Sequence, residues 1–213
     1  RNSTGGRRAG IATDHSVLTW IGKGKTARLA PDLSVIVRAD TSKMYLIRPA
    51  EKAYNVVNLP LDFKSMMPPE MAGMIETMSK MMTWDATVTA TGTSKTIAGF
   101  SAQGYKVTIS GPMGMRIDQD IWATKDLEID YGAWKELMLS QRALMAPLGG
   151  DWWKKLSAIE GYPVLSETVT TMAGKSFGTR EEMVSFETKD APAGTYEPAV
   201  GFKEEPFDPM GQG

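Results

Sequence analysis

The sequence predicts an α+β fold, a curled antiparallel sheet forming an incomplete barrel, with helices covering its concave face. Three observations lead there. Short runs of alternating apolar and polar residues, separated by turn-forming residues, recur along most of the 213 residues. Two stretches, 63–82 and 131–145, switch to three- and four-residue spacing of their apolar side chains. Roughly ten strands in one open sheet must twist and curl, which leaves a hollow for the helices to fill. The length fits a single domain, 1–213, with a flexible N-terminal segment at 1–15 and an extended C-terminal tail at 190–213.

Composition excludes several chemistries. There is no cysteine, so disulfides, thiolate metal sites and cysteine nucleophiles are ruled out. His15 is the one histidine, which excludes a serine-histidine-aspartate triad or a multi-histidine zinc site within one chain. A net charge of −1 gives no bulk field to hold nucleic acid or an anionic membrane. No apolar run is long enough to span a bilayer. The chain opens on Arg1 rather than Met, and the expectation is that a leader precedes it in the precursor.

Taken in order, residues 1–15 carry Gly5, Gly6, Gly10 and Arg7-Arg8 with little apolar content, and read as a loop. Runs at 17–21 and 26–29 flank the turn Gly22-Lys23-Gly24-Lys25. Leu33, Val35 and Val37 alternate with Ser34 and Arg38; then Asp40-Thr41-Ser42 turns the chain into 43–48. Pro49-Ala50-Glu51 turns it again into 52–59. Strands joined so tightly are antiparallel neighbours.

The stretch 63–82 follows. At roughly 100° per residue, Met67, Met71, Met74, Ile75, Met78, Met81 and Met82 share an arc of about 120°. Glu70, Gly73, Glu76, Thr77, Ser79 and Lys80 take the remainder, and Pro68-Pro69 suits a first helical turn. Thioether chains suit a surface that must fit irregular or changing shapes better than they specify a rigid core.

Beyond it, Ala86, Val88 and Ala90 face one way and Thr87, Thr89 and Thr91 the other, with a turn expected at Thr93-Ser94-Lys95. The run 96–110 contains Gly99 and Gly104, which suggest a bend or bulge. Met113, Met115 and Ile117 alternate with Gly114, Arg116 and Asp118, so strand geometry puts the two methionines on one face. The second helix, 131–145, presents Trp134, Leu137, Met138 and Leu144. Strands at 162–170 and 181–189, joined through a loop with Gly174 and Gly178, complete the sheet. Pro192, Pro198, Pro206 and Pro209 mark an extended, solvated tail.

Several segments together carry a family resemblance. The hairpin Lys43-Met44-Tyr45-Leu46-Ile47-Arg48-Pro49 with Glu51-Lys52-Ala53-Tyr54 is followed by Lys95-Thr96-Ile97-Ala98-Gly99-Phe100, Tyr105-Lys106-Val107 and Ile121-Trp122-Ala123-Thr124. Glu160-Gly161-Tyr162-Pro163-Val164 and a last strand near 181–187 close the set, which spans about residues 17 to 207. It resembles a methionine-rich bacterial envelope domain of unknown function, related to the LolA and LolB lipoprotein carriers. That resemblance implies a LolA-like fold, a periplasmic or outer-envelope location, possible membrane anchoring, and binding rather than catalysis.

The expected function is therefore non-enzymatic and cofactor-free: a lipid, acyl chain or lipidated peptide held in an apolar pocket under the Met-rich helix. The expected partners are a hydrophobic small molecule or lipid and a transient membrane or lipoprotein contact, with no nucleic acid. Met67, Met71, Met74, Ile75, Met78 and Met82 are assigned to the lid, and Trp20, Met44, Leu46, Val88, Met113, Met115 and Trp122 to the wall. Each methylene buried contributes about 0.8 kcal/mol, so several carbons give useful affinity. Two other readings stand beside it: a Cu(I) site built from the Met clusters, since soft thioethers suit that ion, and a structural or assembly module without ligand. Asp118, Asp120, Asp126, Glu128 and Asp130 form an acidic cluster of the kind that holds Ca²⁺, although Arg116 and Lys125 favour a solvated charged surface. Trp152-Trp153-Lys154-Lys155 is an aromatic-basic patch suited to a membrane or partner boundary, or to packing of at least one ring in the core.

Overall fold

The computed structural model describes residues 2–5, 14–59, 73, 77, 83–144 and 152–207. The fold class is α+β. Thirteen described strands form two sheets, antiparallel except at one edge. The sequence reading joined its strands into one curled sheet. The chain passes between the two sheets three times, after β2, after β7 and after β12. Alternation tells which way a side chain faces but not which sheet its strand joins.

Contacts gather the chain into two compact units. The first comprises Arg1–Ser16, Glu76–Glu128 and Leu148–Thr188; the second comprises Val17–Ile75, Ile129–Pro147 and Lys189–Gly213.

The first unit holds β1 (Asn2–Gly5), β2 (Asp14–His15), β8 (Asp85–Ile97), β9 (Phe100–Ser110), β10 (Arg116–Thr124), β11 (Tyr162–Met172) and β12 (Lys175–Glu182). Their order in the sheet is β2-β1-β12-β11-β10-β9-β8. Residues 1–15, read as a loop, thus contribute two short strands, β1 pairing with β12. The turn expected at Thr93-Ser94-Lys95 is instead strand: β8 passes through it on a register shift between Ala90 and Ser94. The chain reverses at Ala98-Gly99, both at positive φ (48° and 86°). That pair of left-handed residues is what a two-residue type I′ hairpin turn requires. Ala173 and Gly174 (50° and 74°) make the same turn between β11 and β12, so the last hairpin closes earlier than the sequence reading placed it. A 3-10 segment, Trp152–Ala158, packs on β8, with Trp152 stacked on Trp84 at 5.6 Å and 20° between ring planes.

The second unit holds β3 (Leu18–Gly22), β4 (Lys25–Leu29), β5 (Ser34–Arg38), β6 (Lys43–Arg48), β7 (Ala53–Asn58), β13 (Lys203–Glu205) and helix α1 (Tyr131–Leu144). Five strands form a meander, and β13 adds to the outer edge of β7 in parallel. Both faces of this sheet are covered. On one, Val35, Val37, Met44 and Val57 pack around Leu137 of α1, joined by Leu46, Leu59, Trp134 and Phe207. On the other, Ala27, Ile36 and Ile47 pack with Trp20, Leu29, Tyr45 and Tyr54 under Tyr196 and Phe202. The segment read as an extended, solvated tail therefore crosses one face, pairs along the edge and turns onto the other face. Its aromatic residues, spaced among prolines, supply the contacts.

Candidate functional site

Strands β8–β10 of the first unit present two chemically different faces, because antiparallel register keeps paired residues on the same side. Ala86, Val88 and Ala90 of β8 lie opposite Ile109, Val107 and Tyr105 of β9, which in turn lie opposite Ile117, Gln119 and Ile121 of β10. Ala86, Val107, Ile109 and Ile121 are buried, whereas Val88 and Ile117 are half-buried and Ala90 is exposed. The polar groups among them are Gln119 and the Tyr105 hydroxyl, which accepts the Glu160 backbone N–H at 3.4 Å. The Gln119 amide N–H donates to Thr168 Oγ1 at 3.0 Å, while its buried Oε1 has no hydrogen-bond partner among the described residues.

The opposite face is a ladder of charges. Lys106 pairs with Asp120 at 3.0 Å, Arg116 with Asp118 at 2.6 Å, and Arg180 with both Glu167 and Glu182. Arg116 holds the Asp118 carboxyl below its usual range by hydrogen bonding, assisted by the Thr108 hydroxyl. Exposed pairs of this kind contribute little stability each, and their effect is to keep this face in water.

The residues assigned to a pocket wall do not share one surface. Val88 lies on the apolar face, while Trp122 lies on the face of Asp120 and Asp118. There it packs against Ile97, Ala102, Val164 and Leu165, and Lys95 sits 4.0 Å over its ring. Met113 is not in a strand at all: Pro112–Gly114 is a 3-10 turn, with Met113 at φ 56° and 96% exposed. Proline at the turn's first position and glycine at its last break the alternation that would have aligned Met113 with Met115, which is half-buried. In the second unit Met44 and Leu46 face α1, and Trp20 packs on the opposite side of the same sheet. The lid assignments Met67, Met71, Met74, Ile75, Met78 and Met82 lie outside the described residues. Gly73 and Thr77, both from the arc read as polar, are helical and exposed.

A groove of about 620 Å³ opens on the second unit, on the face that carries Tyr196 and Phe202. Tyr45 and Tyr54 form its floor with ring centroids 6.2 Å apart and planes at 59°. Around them stand Arg38, Lys43, Glu197 and Glu204. The Tyr54 hydroxyl donates to Glu204 at 3.2 Å; partial burial, then this carboxylate, pushes the phenol's pKa up. None of the wall residues Trp20, Met44, Leu46, Val88, Met113, Met115 and Trp122 lines this groove.

A family model described as "Domain of unknown function (DUF4412)" matches residues 22–202. The chain belongs to that family. No curated protein matches it. Among solved structures, one described as "Structure of PNGF-II in C2 space group" is similar with a TM-score of 0.43 and 11% identity. The likeness covers 98% of this chain but 30% of the other, so this chain spans under a third of that neighbour.

In this DUF4412 chain the acidic cluster is dispersed among separate tasks. Asp118 and Asp120 belong to the charged ladder, Asp126 accepts the Ser101 backbone N–H at 3.2 Å, and Asp130 accepts that of Ala133 at 3.0 Å. Among the described residues no three histidine or carboxylate side chains gather as a metal site. No helix among them is long and apolar enough to cross a membrane. In the Trp-Trp-Lys-Lys patch, Trp152 is buried against Trp84, Lys154 lies over the Trp153 ring at 5.6 Å, and Lys155 pairs with Asp85. Sequence reasoning singled out the Tyr45–Tyr54 hairpin as a motif but not as a groove. The alternation of Lys43, Tyr45 and Ile47 against Tyr54 and Val56 already put both rings on one face.

Proposed function

We propose that this DUF4412 chain is a non-enzymatic envelope protein, periplasmic or outer-envelope, that holds a lipid, acyl chain or lipidated peptide in an apolar pocket under its Met-rich helix. The observation that supports the reading is the contrast on β8–β10 between an apolar face and a charged one. An apolar sheet face must be covered, and small side chains such as Ala86, Val88 and Ala90 leave depth beside the backbone for a guest. Methionines supply a cover that refits to chains of different length. On this reading the sheet is a LolA-like scaffold and the Gln119 carboxamide is a polar mark in the hollow, with an acceptor free for a guest's amide or hydroxyl. No catalytic group or cofactor takes part, and the partners are a hydrophobic ligand and a transient membrane or lipoprotein donor.

Mass spectrometry of an organic extract from protein purified without detergent tests it. Stoichiometric lipid is expected, and it is expected to vanish in a folded Met71→Glu/Met78→Glu variant. An extract free of lipid, together with no uptake of a fluorescent fatty acid, overturns the reading.

A further inference from the structure

The Tyr45–Tyr54 groove has a chemistry that acyl-chain binding does not use. Its volume, about 620 Å³, falls within the range of small-molecule sites, roughly 300–1,000 Å³. It is open to solvent and carries both signs of charge, Arg38 and Lys43 against Glu197 and Glu204, so its lining sums to zero. Arg38 is already committed, to Asp40 at 2.7 Å and Glu197 at 3.6 Å. A phosphate or a free carboxylate thus finds no net attraction, and a fatty chain finds too little dry surface.

What remains available is specific. The two ring faces stand at an angle on the sheet. Lys43 makes no ion pair among the described residues, and the Tyr45 hydroxyl has no hydrogen-bond partner among them. Glu204 accepts one hydrogen bond, from Tyr54, and has further lone pairs. The far wall is the turn 197–201, whose Gly201 has φ 87° and no Cβ to narrow the opening. Amphipathic ring faces flanked by an ammonium, a carboxylate and phenol hydroxyls match a neutral ligand with apolar C–H faces and an equatorial fringe of hydroxyls.

We propose that this groove binds a short neutral saccharide, one sugar ring lying on Tyr45 and Tyr54 with its hydroxyls shared between Lys43 and Glu204. The site lies in a different unit from the apolar sheet face, so its test stands apart from the lipid reading.

Saturation-transfer NMR and calorimetry with cellobiose, maltose and N,N′-diacetylchitobiose measure it on the full chain. Saturable binding of at least one is expected, with the strongest transfer at C–H protons of one ring face. Glu204→Gln and Lys43→Met, both on the surface, are each expected to weaken binding on the order of tenfold with an unchanged melting temperature. Tyr45→Phe is expected to keep the stacking and lose less than Glu204→Gln. No saturable binding by any of the three sugars overturns the proposal, as does binding that Glu204→Gln and Lys43→Met leave intact, or a preference for glucose 6-phosphate over the neutral sugars.

Discussion

Arg48 holds the carboxylate of Glu205 at 2.7 Å, joining the β6–β7 hairpin to the last strand of the second unit. The same guanidinium binds Glu51 at 2.6 Å and donates to Asn55 Oδ1, while the Asn55 amide donates to the carbonyls of Glu205 (2.9 Å) and Pro206 (2.8 Å). Asn55 is 7% exposed, and its removal takes from both carbonyls the donor they share and from Arg48 an acceptor. Asn55→Ala is expected to destabilise the second unit by about 1–3 kcal/mol, read as a lowered urea midpoint. Limited proteolysis is expected to cut near 203–207 first. An unchanged digestion pattern would show that β13 is held by its backbone pairing alone.

Asp130 is the N-cap of α1. Its carboxylate accepts the Ala133 N–H, and this bond, with others from Gly24 and Gly132, lowers its pKa. A carboxyl whose folded pKa is depressed contributes stability that is present above its unfolded pKa, about 3.9, and is lost as pH falls through the folded value. Asp130→Ala is expected to cost about 0.5–2 kcal/mol at neutral pH. The gap from the parent protein is expected to shrink as pH falls below about 4, checked by denaturant titrations at several pH values.

Gly161 has φ 95°, and a Cβ placed there would stand 2.3 Å from the Thr124 carbonyl oxygen. Neither the left-handed backbone nor the close approach of a rigid carbonyl accommodates alanine. The conformational term alone is on the order of 1–3 kcal/mol. Gly161→Ala is therefore expected to lower the melting temperature of the first unit markedly. Gly174→Ala, at a similar φ but in open space, is expected to cost less.

Leu137 is fully buried between α1 and the sheet, against Val35, Val37, Met44 and Val57. Leu137→Ala is expected to cost about 2–5 kcal/mol, the range for leucine truncation in a closed core. Circular dichroism melts measure it, and Leu137→Met, which nearly keeps the volume, is expected to recover most of the loss.

Much of this unit was legible from pattern. Alternation placed Lys43–Arg48 within a strand, and the spacing of Trp134, Leu137 and Met138 located α1 to within a residue. The β8–β9 turn was not legible because alanine shares it: Ala98 adopts a left-handed conformation that its side chain does not advertise, and only Gly99 hinted at it. The groove was hidden for a different reason. Its floor comes from 45–56 and its wall from 197–204, and no local period connects segments so far apart. The face of Trp122 followed from its parity with Asp118 and Asp120, which the pocket assignment overlooked in favour of hydrophobicity.

The interleaving of the second unit bears on how the protein is made. Its sheet begins at residue 18, its helix comes from 131–144, and its edge strand and aromatic covers come from 196–207. A ribosome extrudes β3 through β7 before Leu137 or Phe202 exists to shelter them, so one side of that meander stands bare while β8–β10 are translated and the other until β12 has followed. Completion of this unit is thus tied to late synthesis.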